Sequence, residues 1–286
     1  MYYPYFRSKQ FDLLALQALL DADRFPEGII PIIEPVKQNK ALLKLIAKFQ
    51  AAHQPFYLIV NPQVGEFATE EGLTSLEQLA VEKAFILDQP LESLENSYPL
   101  IITQSPQIVL ESDWQQNQAL VLVPEEFRLL AKIKGPKILS QDGFTRLGSN
   151  SYYTEVPDEL LFKGNQNLAL RGFSGFSDFS IDSRIYYEHG YPSKRLALHL
   201  IYMKDGNVRI HHFVSEELPT QKENFLQVMT EIKDWQDQLW EDKLTLGGEI
   251  LFEAFDRGHF PGMGVLRKAS VMHQLEIMGR FLRKDV

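Results

Sequence analysis

The sequence predicts an α/β fold, an irregular (β/α)8 barrel of the TIM type carrying a C-terminal β-hairpin and helices. Three observations lead there. Eight short apolar runs recur along the first 170 residues, most of them about 20 to 35 residues apart. Helical patterns separate the early runs, as expected when β/α units surround a parallel sheet. Beyond the eighth run the rhythm gives way to two long alternating runs and two amphipathic helices. An open doubly wound sheet has the same periodicity and stands as the alternative.

The elements follow in order. Tyr2–Arg7 is an aromatic strand whose Pro4 confines it to a strand start, bulge or edge. Phe11–Ala22 has apolar residues at 11, 14, 15, 18 and 19, which is helical spacing. Ile29–Val36 is a buried strand stopped by Glu34-Pro35, and Asn39 is placed to cap a helix over Ala41–Ala52 with Leu42, Ile46 and Phe49 on one face. Phe56–Val60 ends in Asn61-Pro62, and Thr74 with Glu77 reads as a capping box opening a short helix. Further runs are Ala84–Leu87, Leu100–Ile102, Leu120–Val123, Lys137–Leu139 and Leu168–Leu170.

Leu196–Met203 and Val208–Val214 alternate around Asp205-Gly206-Asn207, a glycine-bearing hairpin turn. Pro219 opens a long helix with Phe225, Val228, Met229, Ile232, Trp235 and Leu239 on one stripe. A glycine-rich loop, Gly258–Gly264, leads into a last helix over Val265–Leu282. No linker interrupts the chain. One domain over 1–286 is expected, with a barrel core at 1–180 and the hairpin and C-terminal helices at 181–286.

Composition bounds the function. The 286 residues are 44% hydrophobic and 23% charged, as in globular proteins of ordinary solubility, and the net charge is −9. That acidic balance argues against a nucleic-acid backbone as partner, which needs concentrated Lys and Arg. The chain has no cysteine, excluding disulfides, thiolate nucleophiles and Cys-ligated zinc. No apolar run approaches the ~18 residues of a membrane span, and MYYPYFRSK has no signal pattern, so a cytoplasmic protein is expected.

The candidate chemistry lies at the strand ends. In a (β/α)8 barrel the carboxyl ends of the strands converge on one mouth. They supply Lys9, Glu34, Asn61, Asp88, Gln104, Glu125, Asp142 and Arg171. Strand ends also collect polar residues simply because they meet water. As a site, Glu34 and Asp178 would act in catalysis, and Asp88 and Asp142 would hold Mg²⁺ or another divalent cation through oxygen ligands. Lys9, Asn61, Gln104 and Arg171 would bind the ligand, with Arg7 and Lys37 adding positive charge. Asp178 and Asp182 sit in a Gly/Ser-rich stretch where such residues also form turns.

Six of the seven histidines lie beyond residue 188. His199, mid-strand, is the candidate proton carrier, with His211 opposite as an acid/base or metal partner. His211 and His212 point to opposite faces, so only one of them can join it. Gly262-Met263-Gly264 with Arg267 and Lys268 could hold a phosphate on free amides, and His259 beside it reads as a loop residue.

Three stretches carry a resemblance: YYPYFRSKQFDLLAL, IIPIIEPVK and GFSGFSDFS…ALHLIY…IHHFVS. Together they resemble a bacterial family designated by a locus tag, "sce" followed by seven-seven-two-five, which is similar to the phage-type beta-protein family. The sequence departs from that pattern at Asp12, where a glutamate is expected. The resemblance implies a barrel-like fold and a link to phage or mobile-element genes, and no particular activity.

Two functions follow as expectations. One is a metal-assisted hydrolase or phosphoryl-transfer enzyme acting on a phosphorylated or nucleotide-like small molecule. The other is a non-catalytic binding component of a phage-defence or mobile-element system, acting through a protein partner. Binding of single-stranded nucleic acid is a weaker third.

Overall fold

The computed structural model describes residues 1–38, 40–87, 89, 97–103, 119–187, 193–240 and 243–284. The chain forms two compact units. The first comprises Met1–Gln10, Gly28–Gln141 and Asn167–Phe179. The second comprises Phe11–Glu27, Asp142–Gln166 and Ser180–Val286. The second unit is thus not a simple C-terminal block, because 11–27 and 142–166 belong to it as well.

The first unit is the parallel barrel. Its strands are β1 (Tyr5–Phe6), β2 (Ile32–Ile33), β3 (Tyr57–Ile59), β4 (Lys83–Ile86), β5 (Leu100–Ile102), β6 (Leu120–Pro124), β7 (Lys137–Ser140) and β9 (Phe173–Ser177), paired in that order. The ring closes where Tyr2 bridges Phe176 and the Tyr5 amide donates to the Asp178 carbonyl at 2.8 Å. Ile32, Ile59, Ala84, Leu100, Leu122 and Ile138 share the inner cluster with Tyr3, Tyr5 and Phe179. Their neighbours Ile33, Leu58, Ile101, Val121 and Leu139 are buried on the other face. Burial on both faces is why the strands read as continuous apolar runs.

The eighth barrel strand is displaced from the expected position. Leu168–Leu170 is turn, Leu170 is 88% exposed, and the strand is Phe173–Ser177, of sequence FSGFS. Its glycine and serines hide it from an apolar count. Gly175 is required there, since a Cβ would lie 2.3 Å from the Met1 carbonyl oxygen as the chain start packs alongside. The short helix after β3 is also shifted: it spans Glu70–Glu77, capped by Thr69, whose Oγ1 accepts from the Gly72 amide at 3.2 Å. Thr74 and Glu77 therefore close that helix. Glu70 and Glu71 in its first turn suit the positive end of the helix dipole. The expected cap at Asn39 lies outside the described residues.

The second unit holds a three-stranded antiparallel sheet ordered β10 (Ala197–Lys204), β11 (Asn207–Val214), β8 (Asp158–Phe162). The hairpin turn is two residues long, Asp205 and Gly206, both at positive φ (51° and 72°). This is the turn whose twist matches that of paired strands. Against the sheet's apolar face pack Phe225, Val228, Met229 and Ile232 of the helix Gln221–Asp234. That helix opens with a Thr220–Glu223 capping box one residue after Pro219 and stops at Trp235; Leu239 and Trp240 sit in a separate turn, Gln236–Trp240. Helices Leu246–Asp256 and Met263–Lys284 complete the core. Gly264 in the last of these abuts the Phe11 ring, where a Cβ would come within 2.0 Å. Packing thus accounts for Gly264, and a positive φ of 91° accounts for Gly262.

Candidate acid–base site

The hairpin register decides which histidines meet. With a two-residue turn, Lys204 pairs Asn207 and His199 pairs His212. A three-residue loop over Asp205–Asn207 would have shifted the register by one and placed His211 on the face of His199. The expected His199–His211 pair is therefore replaced by His199–His212. The two Nδ1 atoms lie 2.7 Å apart, with the rings edge-on at 82°. His212 Nε2 lies 2.8 Å from Glu159 Oε1 on β8. The result is a chain of carboxylate, imidazole and imidazole.

The residues after β7 build its surroundings. The Phe144 ring meets both imidazoles edge-on, Thr145 hydrogen-bonds Glu159, and the Leu147 amide donates to the Tyr153 hydroxyl at 3.1 Å. Tyr153, in the 3₁₀ turn Asn150–Thr154, sets its ring 4.6 Å from each imidazole. Burial, then the neighbouring His212 and the Arg267 charge, hold His199 well below the usual histidine range, so it is neutral near pH 7. Burial pushes the Glu159 carboxyl up, but hydrogen bonds from His212 and Thr145 outweigh it and the net shift is downward. An ionised Glu159 accepts from His212 Nε2–H. The His212 Nδ1 lone pair then accepts from His199 Nδ1–H, which leaves His199 Nε2 as a free base.

Two arginines lie near this chain: the charge of Arg267 reaches His199, and that of Arg146 reaches the Tyr153 hydroxyl. Arg267 is fully engaged: Nε and Nη2 donate to Asp12 at 2.7 and 3.1 Å, and Nη1 donates to the Ile181 carbonyl at 2.8 Å. Arg146 Nη1 contacts Asp182 Oδ1 at 3.1 Å, and its guanidinium lies 4.0 Å from the centre of the Tyr187 ring.

The barrel rim carries a second polar cluster. Glu34, 3% exposed, accepts from the Tyr5 hydroxyl at 2.9 Å and from the Gln63 amide at 3.1 Å, with Arg7 Nε at 3.3 Å. Burial, then the Glu34 charge, raises the Tyr5 hydroxyl well above its ordinary range. The Arg7 guanidinium also lies 5.3 Å from the Phe179 ring centre. This is a buried, internally compensated group.

The chain matches no family model, no curated protein and no solved structure.

The other expected site residues are divided between the two units. Asp178 shares the parity of Phe176 and turns away from the barrel interior, with Oδ1 accepting from the Tyr2 hydroxyl at 2.6 Å. Asn61 spends its amide on the Ile86 backbone, donating and accepting at 2.8 Å, and so extends the β3–β4 ladder. Arg171 precedes its strand instead of ending it and is ion-paired to Glu125. Lys9 is half-buried after β1, and Asp142 Oδ2 accepts from the Arg184 amide at 3.3 Å. Glu34 and Asp178 belong to the first unit, Asp142 and His199 to the second. Asp88 and Gln104 lie outside the described residues. Among the described residues, no group of three or more His, Asp or Glu side chains is arranged to hold a metal ion.

His211 faces the opposite side of the hairpin, between Asp158 at 3.7 Å and Glu231 at 3.8 Å, its ring centre 4.0 Å from that of Trp235 and tilted by 32°. Glu159 and Tyr153 contact the imidazoles, and neither is a candidate on sequence alone. The signal for Glu159 was the short run Asp158–Phe162, whose acidic start masks a strand.

Proposed function

We propose that the protein is a hydrolase or phosphoryl-transfer enzyme for a phosphorylated or nucleotide-like small molecule, with His199 as its proton carrier. One observation supports this most directly: the Glu159–His212–His199 chain, with contacts of 2.8 and 2.7 Å, ends in a neutral imidazole. A proton taken up at His199 Nε2 can be balanced by transfer from His199 Nδ1 to His212, beside the Glu159 carboxylate. That lets one buried site accept and return a proton without leaving an unpaired charge. Assays with p-nitrophenyl phosphate and bis-p-nitrophenyl phosphate, with Mg²⁺ present, test it. His199→Gln is expected to lower kcat by a factor of at least about 10² and Glu159→Gln by about tenfold. Turnover unchanged in His199→Gln would overturn the assignment.

A second reading is a non-catalytic component acting through a protein partner. It is favoured by Phe127 and Leu170, which are 85% and 88% exposed on segments joined by the Glu125–Arg171 ion pair. Changing both to serine is expected to abolish co-purification of a partner encoded beside this chain. Retained co-purification would remove this reading.

A further inference from the structure

We infer that Arg146 is the anchor for a phosphoryl group presented to His199, and that Asp182 occupies its place in the ligand-free protein. The inference rests on the acid–base reading of the same site and names what that site recognises.

Arg146 and Arg267 differ in how much of their donor capacity is used. A guanidinium has five N–H donors in a planar fork. Arg267 commits all three of its nitrogens to Asp12 and the Ile181 carbonyl. Arg146 commits one, Nη1, and among the described residues Asp182 is its one hydrogen-bond partner. Its side chain is 21% exposed, so solvent and ligand can reach it. The guanidinium carbon lies over the Tyr187 ring, 4.0 Å from its centre, a contact that favours a charged arginine there.

Position adds to this. Arg146 follows Thr145, which bonds Glu159, and Phe144, whose ring touches both imidazoles. The Tyr153 hydroxyl feels the charges of both Arg146 and Asp182, while its ring covers His199 and His212. Asp182 is meanwhile shared: Oδ1 also accepts from the Ser183 amide at 3.0 Å, and Oδ2 lies 3.8 Å from Arg267. Released from Arg146, Asp182 keeps those two contacts. A phosphoryl dianion supplies what Asp182 does not, two oxygens matched to the fork of one guanidinium. A guanidinium fork takes paired oxygens, and the phosphoryl group is the oxyanion that the proposed reaction at His199 calls for; free phosphate and a phosphate monoester share that chemistry.

Calorimetric titration with inorganic phosphate tests the inference on the full chain. Wild-type protein is expected to bind phosphate, Arg146→Gln to bind at least tenfold more weakly, and Arg146→Lys to fall between them. Asp182→Asn removes the competing charge and is expected to tighten binding severalfold. His199→Gln is expected to bind as wild type does, which separates this inference from the proton-carrier assignment, read in turnover. A phosphate monoester that binds at least as tightly as free phosphate assigns the site to substrate, and one that binds more weakly assigns it to product. Absence of phosphate binding, equal affinity in Arg146→Gln, or weaker binding in folded Asp182→Asn would each overturn it.

Discussion

Asp12→Ala is expected to cost about 3–5 kcal/mol of folding stability, the usual penalty for stripping the partner from a buried ion pair. Asp12 is 2% exposed, and both of its oxygens accept from Arg267. The pair ties the helix Gln10–Asp21 to the helix Met263–Lys284 within the second unit. Without Asp12, a guanidinium with 26% of its side chain exposed keeps only the Ile181 carbonyl and Asp182 at 3.8 Å. Burial by itself would favour losing the Arg267 charge, but Asp12 and Asp182 outweigh it and the net shift is upward. Arg267 thus stays charged, and the penalty cannot be escaped by deprotonation. Urea denaturation measures the loss. A double replacement, Asp12→Leu with Arg267→Met, is expected to recover most of it, because an apolar pair of similar volume needs no partner. A loss below about 1 kcal/mol in Asp12→Ala would mean that Asp182 or water compensates the guanidinium.

Asp12 and Arg267 also show where sequence reasoning stops. They are 255 positions apart, and nothing local in either segment announces the other. The barrel was legible because parallel strands buried on both faces leave apolar runs that survive without context. Its last strand was not, because close packing against Met1 demanded glycine where a pattern search expects leucine or valine. His199 was legible as an imidazole on an alternating strand. Its partner was not, because one residue of turn length decides whether His211 or His212 faces it. Glu159 became visible only with the third strand, whose pairing to β11 is a tertiary event. The carboxylates at the strand ends were individually plausible, yet Asp178 shows the weakness of that argument. Parity, fixed by the displaced strand, turns it away from the barrel interior.

Acidification is expected to remove about 3 kcal/mol of stability through His273 alone between pH 6.5 and 4. His273 is completely buried, and burial, only partly offset by its bond to the Ile201 carbonyl, lowers its pKa from 6.5 to about 4. The unfolded chain takes up this proton near pH 6.5, whereas the folded protein resists until about pH 4. Over that interval the unfolded state binds more protons, so stability falls as pH falls, by about 1.4 kcal/mol per unit. His199, also lowered, acts with the same sign. Glu276, raised mainly by burial, opposes it across the carboxylate range, where its protonated form favours the folded state. The cause at His273 is geometric as well as dielectric. Nε2 lies 2.7 Å from the Ile201 carbonyl, so it carries the hydrogen. Nδ1 lies 3.0 Å from Thr245 Oγ1, which already accepts from Trp240 Nε1 and the Gly248 amide, both at 3.1 Å. That hydroxyl has its own hydrogen left to give and no lone pair to spare, so a protonated Nδ1 would meet a donor. Urea midpoints at half-unit steps check the slope, and His273→Gln is expected to flatten it. A wild-type profile already flat over this interval would require a Thr245 hydroxyl that gives up one of its two donors at little cost.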